Sequence, residues 1–366
     1  MARREFLALA KTFKMGKDDP SGKYISDKLD GTRAYWDGGI TRGIPTILVP
    51  WANIFDPKKP GELKKKIKPV ATGLWSRYGN PIIAPDWWLN QLPGMFLDGE
   101  LFAGVGNFQR LRSIVAKDVP IDEEWREVEF AAFGAPSPES VFAAGEIKNP
   151  NFHRTIDPVA IMRFVKASAV KGVLQEFVPT PQSEYTFERE LDVLQKALCT
   201  GGSLCYLHRH TLLSHDRVMA ESQMEAHMDR VLDAGGEGII LRDPKAIWTP
   251  KRAPSIMKHK PYTDDQGTIT GFVSGRETTK GSKLRGLIGA VILDYKGHRL
   301  EMSGFTDEER RFSSEREAAY AWDNPGVDMP DQFEGAQFKV GDTLEFLYRE
   351  LSDDGIPKEG RYKRGV

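Results

Sequence analysis

Lys28 stands in the run "SDKLDGTRAYWDGG" (26–39), two positions before Asp30 and five before Arg33, in a stretch that otherwise reads as strand and turn. A lysine ammonium becomes a nucleophile only on losing its proton, which takes desolvation or a cationic neighbour. Most lysines are solvated surface charges, so other residues must supply that setting. Arg33, Arg77, Lys258 and Lys260 are the candidate cations; "SIMKHK" (255–260) puts Lys258 and Lys260 on one strand face, where both charges could converge on a phosphate. Like charges side by side call for an anion or a carboxylate. Glu100 in "MFLDGELF" (95–102) and Glu237 in "GGEGIILR" are the carboxylates, and both also suit Mg²⁺, a hard cation that bridges protein oxygens to substrate phosphates. Phe133 in "VEFAAFGAP" could stack on a purine or simply fill a core. A nucleophile, phosphate-binding cations and acidic metal ligands together fit nucleotidyl transfer through a covalent lysine intermediate.

The elements that must hold these residues are legible in outline. Residues 24–36 alternate like a strand and Gly38-Gly39 makes a turn. Residues 40–73 are rich in Pro and Lys, lack clear periodicity, and read as an excursion from a compact sheet. In 95–102 the period of two sends Asp98 and Glu100 to the same face. Leu191, Leu194 and Leu198 recur at helical spacing over 187–199, and Met224, Met228, Val231 and Leu232 mark a second helix over 222–234 that exits at Gly235-Gly236. "EGIIL" then returns as a strand, with Glu237 at its glycine-flanked start. After Lys260 come short strand-like segments, "TITGFVSG", "GLIGAVILDY", "RLEMSGF" and "TLEFLYREL", divided by Gly and Asp, which suggest a small barrel or sandwich.

Composition sets the bounds. The chain has 366 residues, of which 40% are hydrophobic, enough for a sizeable core and two domains. Lys and Arg number 51 against 52 Asp and Glu, so bulk charge neither suggests nor excludes a nucleic-acid partner and local clusters must carry that argument. The two cysteines, Cys199 and Cys205, have neither metal-ligand spacing nor a disulfide framework. The opening apolar run breaks at Lys11, short of a signal peptide, and no stretch reaches the roughly 18 apolar residues of a membrane span. A cytoplasmic protein without membrane contact is expected.

The ordered set "DKLDGTR" (27–33), "WSRYG" (75–79), "FLDGEL" (96–101), "FAAFG" (130–134), "EGIILR" (237–242) and "IMKHK" (256–260) resembles the ATP-dependent DNA ligase family, in chain order and in intervals. The resemblance covers nearly the whole chain and is nearest to the compact phage and short bacterial ligases. It implies an α+β fold, in which an adenylation (nucleotidyltransferase) domain of antiparallel sheets with flanking helices (1–262, with the basic insertion 40–73) precedes a small OB-fold β-barrel (263–366). It further implies that Lys28 attacks the α-phosphorus of ATP and carries AMP, that Arg33 and Arg77 bind phosphate, that Glu100 contacts ribose or metal, that Phe133 stacks on adenine, that Glu237 assists Mg²⁺, and that Lys258 and Lys260 stabilise α-phosphate charge. The substrate so implied is nicked double-stranded DNA, and a monomer is expected. NAD⁺ is disfavoured as donor, because the NAD⁺-using relatives carry a further domain before the lysine.

The sequence also departs from the family pattern. Residues 40–73 separate the lysine strand from "SRYG", so Arg42 rivals Arg77. Gly134 stands where an aspartate usually follows the stacking phenylalanine. Arg361, Lys363 and Arg364 resemble a shortened form of the last ligase motif. Lys58, Lys59, Lys64, Lys65, Lys66 and Lys68 lie within eleven residues with Glu62 as the sole acid, and Arg276, Lys280, Lys283 and Arg285 cluster in the second domain. Both clusters are candidate contacts to the DNA backbone. The alternatives are an RNA ligase, a capping guanylyltransferase, or a non-catalytic OB-type nucleic-acid-binding protein that forms no lysine adduct.

Overall fold

A computed structural model describes residues 7–137 except 57 and 60, 185–199, 210–249, 252–277, 281, 283–352, 354–358 and 360–363. The chain divides into two compact units, Met1–His259 and Lys260–Val366. Among the described residues no helix is long and apolar enough to cross a membrane.

The first unit contains strands β1 (Leu9–Thr12), β2 (Tyr24–Asp27), β3 (Thr32–Asp37), β4 (Leu74–Ser76), β5 (Phe96–Phe102), β6 (Glu129–Gly134), β7 (His210–Leu212), β8 (Asp216–Arg217), β9 (Ile239–Arg242) and β10 (Arg252–His259). They form two five-stranded sheets, ordered β1-β10-β9-β2-β8 and β4-β3-β5-β6-β7. The single strand expected over 24–36 is therefore two, and the chain changes sheets between them at Lys28–Gly31. Gly31 explains the crossing: a Cβ there would stand 2.3 Å from the Leu101 carbonyl oxygen and 2.6 Å from Cγ of Glu100. Only a residue without a side chain lets the backbone pass that close.

Period-two alternation divides the second sheet into two faces. Ala34, Trp36, Leu97, Leu101 and Phe130 pack with Trp88 and Trp125 into one core. Arg33, Tyr35, Asp98 and Glu100 point the other way. On the first sheet Ile25, Ile239, Leu241 and Met257 pack under Met224, Met228 and Val231 of a helix, Glu221–Asp233.

Residues 40–73 are more than an excursion from the sheet. Val49, Trp51, Ala52 and Ala71 are buried with Tyr35, Trp75 and Trp248, and a bridge joins Pro45 to Val70. Buried Asp37 anchors the start of the segment, accepting from Thr41 Oγ1 at 2.5 Å, from Gly39 N at 2.9 Å and from Trp75 Nε1 at 2.8 Å. Its carboxyl is pushed up to about 6 by burial, against those bonds.

The second unit runs β11 (Thr263–Ser274), β12 (Ile288–Tyr295), β13 (His298–Met302), a helix at Glu315–Asp323, β14 (Thr343–Tyr348), the short pair β15 (Glu350–Leu351) and β16 (Pro357–Lys358), then β17 (Arg361–Tyr362). Its sheet order is β13-β12-β11-β14-β17. The Tyr362 N–H donates to Ser303 O at 3.0 Å, bringing the last strand back to the end of the third. A meander of three strands, a helix, and two strands that return to the first and third make the OB barrel. The helix starts with a capping box, Ser314 and Glu317 bonding each other's backbone N–H.

Candidate active site

The site is built where the chain leaves β2. Antiparallel pairing of β2 with β9 sets Asp27 opposite Ile239, and the Lys28 N–H extends it by donating to Gly238 O at 2.8 Å. Gly238 has φ +141°, a conformation that favours glycine, and it brings Glu237 back to face the lysine. Lys28 Nζ and a Glu237 carboxylate oxygen form an ion pair, the two side chains being 21% and 16% exposed. The amine and its partner are thus both largely withdrawn from water.

Beside them, β3 pairs with β5 so that Arg33 faces Glu100 and Tyr35 faces Asp98. Arg33 forks onto Asp98, Nε to Oδ1 at 2.7 Å and Nη2 to Oδ2 at 2.6 Å, and Trp248 Nε1 donates to Asp98 Oδ2 at 3.0 Å. Glu100 is half-buried, and its desolvation pushes its carboxyl up to about 7; Arg33 and Lys28 pull it down, while Asp98 and Glu237 push further up. Glu100 therefore shares its surroundings with both members of the Lys28–Glu237 pair.

Phe133 on β6 lies under two guanidinium groups, 4.7 Å from Arg33 Cζ and 5.1 Å from Arg242 Cζ to the ring centroid. Arg242 is buried and donates from Nη1 to Phe133 O at 3.0 Å. A Cβ on Gly134 would stand 3.0 Å from Oε2 of Glu190, which reaches in from the helix Phe187–Cys199 and accepts the Ala135 N–H at 3.0 Å. The Glu190 carboxyl therefore fills the space that a side chain at position 134 would take. Burial pushes the Glu190 carboxyl up to about 8, against the pull of Arg242. A shallow, open cleft is lined by Phe187, Glu190, Arg242, Trp248, Thr249 and Ser255.

The other expected residues are placed as follows. Lys258 on β10 is opposite Ile240, and Ile256 opposite Arg242, so Lys258 shares a sheet face with Arg242. Lys260 lies past the end of β10 and opens the second unit, so the strand expected to carry both lysines carries only Lys258. Arg77 follows Ser76, which pairs with Ala34, and so stands at the same sheet end as Arg33; its guanidinium lies 4.8 Å over the Tyr78 ring. Arg42 is committed elsewhere, to Asp86 Oδ1 and Asn90 Oδ1, both at 2.5 Å. In the insertion, Lys58, Lys59, Lys65 and Lys66 are exposed, whereas Lys64 donates to Asn53 O and Lys68 pairs with Asp118. Arg276, Lys283 and Arg285 pair with Glu301, Asp307 and Glu277; Lys280 and Arg364 lie outside the described residues. Sequence reasoning left Asp98, Glu190 and Arg242 without roles. Alternation with Glu100 signals Asp98, whereas nothing local signals Glu190.

No known family profile matches the chain. A DNA ligase of Haemophilus influenzae is 21% identical over 346 residues, 94% of this chain and 86% of that protein. A solved structure from a structure–function study of Lig E DNA ligases superposes with a TM-score of 0.58 at 20% identity, over 98% of both chains. The chain has the DNA ligase fold. A second structure, Pmar-Lig_PreS3, superposes at 0.55 with 16% identity, over 98% of this chain and 67% of that one. Within this ligase fold, Lys28 and Glu237 sit in the first unit where its two sheets meet, and the second unit supplies the barrel.

Proposed function

We propose that this protein is an ATP-dependent DNA ligase that seals nicks in duplex DNA. The observation that carries the reading is the withdrawn Lys28–Glu237 pair, with Glu100 and Arg33 beside it, in a ligase fold. Deprotonated Lys28 Nζ attacks the α-phosphorus of ATP; the N–P bond forms as the bond to the bridging oxygen breaks, and pyrophosphate leaves. An oxygen of the 5′-phosphate at the nick then attacks the AMP phosphorus, so that a P–O–P bond forms as the N–P bond breaks and the lysine amine takes up a proton. Last, the 3′-hydroxyl attacks the 5′-phosphate phosphorus, losing its proton and expelling AMP as the phosphodiester forms. Phe133 offers a ring to the adenine, Lys258 and Lys260 are the cations assigned to the α-phosphate, and Arg33 and Arg77 are assigned to phosphate.

Among the described residues no cluster of three or more His, Cys, Asp or Glu side chains forms a metal cage. Mg²⁺ needs only one or two carboxylates when phosphates complete its shell. Glu100 and Glu237 fit that demand, and when bound the ion would neutralise charge on the phosphates.

Lys58, Lys65 and Lys66 are assigned to the DNA backbone, with Lys59, Arg276, Lys283 and Arg285 as weaker candidates because each has an acidic partner, Glu62 in the case of Lys59. The protein is taken to act as a cytoplasmic monomer. The test is sealing of a labelled duplex with one nick, using ATP or NAD⁺, a 5′-phosphate or 5′-hydroxyl, and DNA or RNA strands. Sealing that requires ATP, Mg²⁺, the 5′-phosphate and a DNA duplex supports the reading; sealing of RNA strands alone moves it to RNA ligase, and DNA binding without sealing moves it to a binding protein.

A further inference from the structure

A polar chain on the far side of β2, with His227 buried between the exposed Asp27 and Arg230, reaches the residue next to Lys28. His227 is 8% exposed on the same helix face as Met224, Met228 and Val231. Its Nε2 lies 2.8 Å from Oδ1 of Asp27, and its Nδ1 lies 2.9 Å from Nη2 of Arg230, one turn along the helix. A guanidinium can only donate, so Nδ1 accepts, the neutral imidazole carries its proton on Nε2, and that N–H donates to Asp27. The direction is set from Arg230 through His227 to the carboxylate.

We propose that His227 is a positioning residue for the nucleophile: backed by Arg230, it fixes Asp27 and so the backbone from which Lys28 leaves the sheet. The inference rests on the reading of Lys28 as the nucleophile. Strand β2 has four residues and ends at Asp27, after which the chain crosses to the other sheet. Ile25 is held by apolar packing under the helix. Asp27, two residues on and on the same face, is polar, and His227 is its anchor. Beyond it, the Lys28 N–H bond to Gly238 O holds the backbone beside Glu237. A histidine on an apolar helix face is not needed for packing, since leucine would fill that place without a polar group to satisfy. What leucine cannot do is hold Asp27.

The test uses the full chain, stripped of any pre-bound AMP, and measures single-turnover formation of the lysine–AMP adduct over a range of ATP concentrations, alongside melting temperature. His227→Leu is expected to lower the maximal rate roughly 10- to 100-fold, the scale on which a displacement of an ångström slows a positioned reaction, with the apparent KM for ATP little changed. His227→Gln, whose amide offers both N–H donors and a carbonyl acceptor, is expected to restore most of the rate. Arg230→Ala, at an exposed position, is expected to slow the step by less, because Nδ1 loses the donor that sets the tautomer. A folded His227→Leu variant with the wild-type rate would overturn the proposal. Should that variant not fold, a wild-type rate in Arg230→Ala overturns it instead. Absence of any adduct in the wild-type protein overturns the reading of Lys28 itself, which keeps the two failures apart.

Discussion

At the scale of single residues, Asp98 is the acid on which the site depends. It is fully buried and receives the fork of Arg33 and the indole N–H of Trp248. Removing one partner of such a pair leaves a desolvated charge unanswered. Asp98→Ala is therefore expected to cost about 3–5 kcal/mol of stability, measured by urea unfolding, whereas Glu237→Gln, at the partly exposed pair with Lys28, should cost far less and act on adduct formation. Glu190 carries a pH signature. The unfolded carboxyl titrates near 4.5 and the folded one near 8, so between these values the folded state binds more protons and stability falls as pH rises. Glu100, raised to about 7, has the same sign over a lower range, and His215, lowered to about 4 by burial, has the opposite sign below 6.5. The fall between about 4.5 and 8 thus reports Glu190 and Glu100 together, and Glu190→Gln is expected to remove part of the fall in melting temperature over that range. Lys28, Glu100 and Glu237 were singled out by their conjunction along the chain rather than by any one local context, and the structure brings the three together. Glu190 was not, because its role arises only when a helix fifty-odd positions later fills the space that Gly134 leaves.

At the scale of elements, local pattern succeeded where one period ran uninterrupted. The helices expected over 187–199 and 222–234 are found at Phe187–Cys199 and Glu221–Asp233, and the four strand-like segments of the second unit are strands. The pattern failed at β2 and β3, because alternation continues across residues 28–31 while the backbone changes sheets; the cause, the closeness of Gly31 to Leu101, is tertiary. The helix Glu315–Asp323 went unread although its capping box stands in the sequence as Ser314 and Glu317. Residues 40–73 were misread because their apolar residues follow no period, yet Trp51 lies in a core with Tyr35 and Trp75. Trp51→Ala is expected to cost about 3–5 kcal/mol, as for other large core truncations, again by urea unfolding. The exposed lysines of the same segment give a separable test. Replacing Lys65 and Lys66 by Glu should leave adduct formation intact, weaken binding to nicked duplex, and reduce the slope of log K against log salt by about 0.9 for each phosphate no longer neutralised. An unchanged slope would remove that face from the DNA interface.

At the scale of the whole molecule, the chain is two units with different work. The first holds the lysine, the carboxylates and the buried Arg242, and the second is a barrel that short strands at close spacing suggested only as a small barrel or sandwich, its strand order being visible in the structure alone. The ordered motifs conveyed this organisation better than any bulk property, since the formal charge of -1 says nothing of a polyanionic partner. The proposed chemistry comes down to Lys28. The decisive measurement is intact mass of the AMP-free protein after incubation with ATP and Mg²⁺, for the wild type and Lys28→Ala, before and after nicked DNA is added. A gain of one adenylyl group in the wild type alone, discharged by the nick, is expected. A wild-type mass that never changes, or an adduct that survives in Lys28→Ala, would contradict the assignment of Lys28 as the nucleophile.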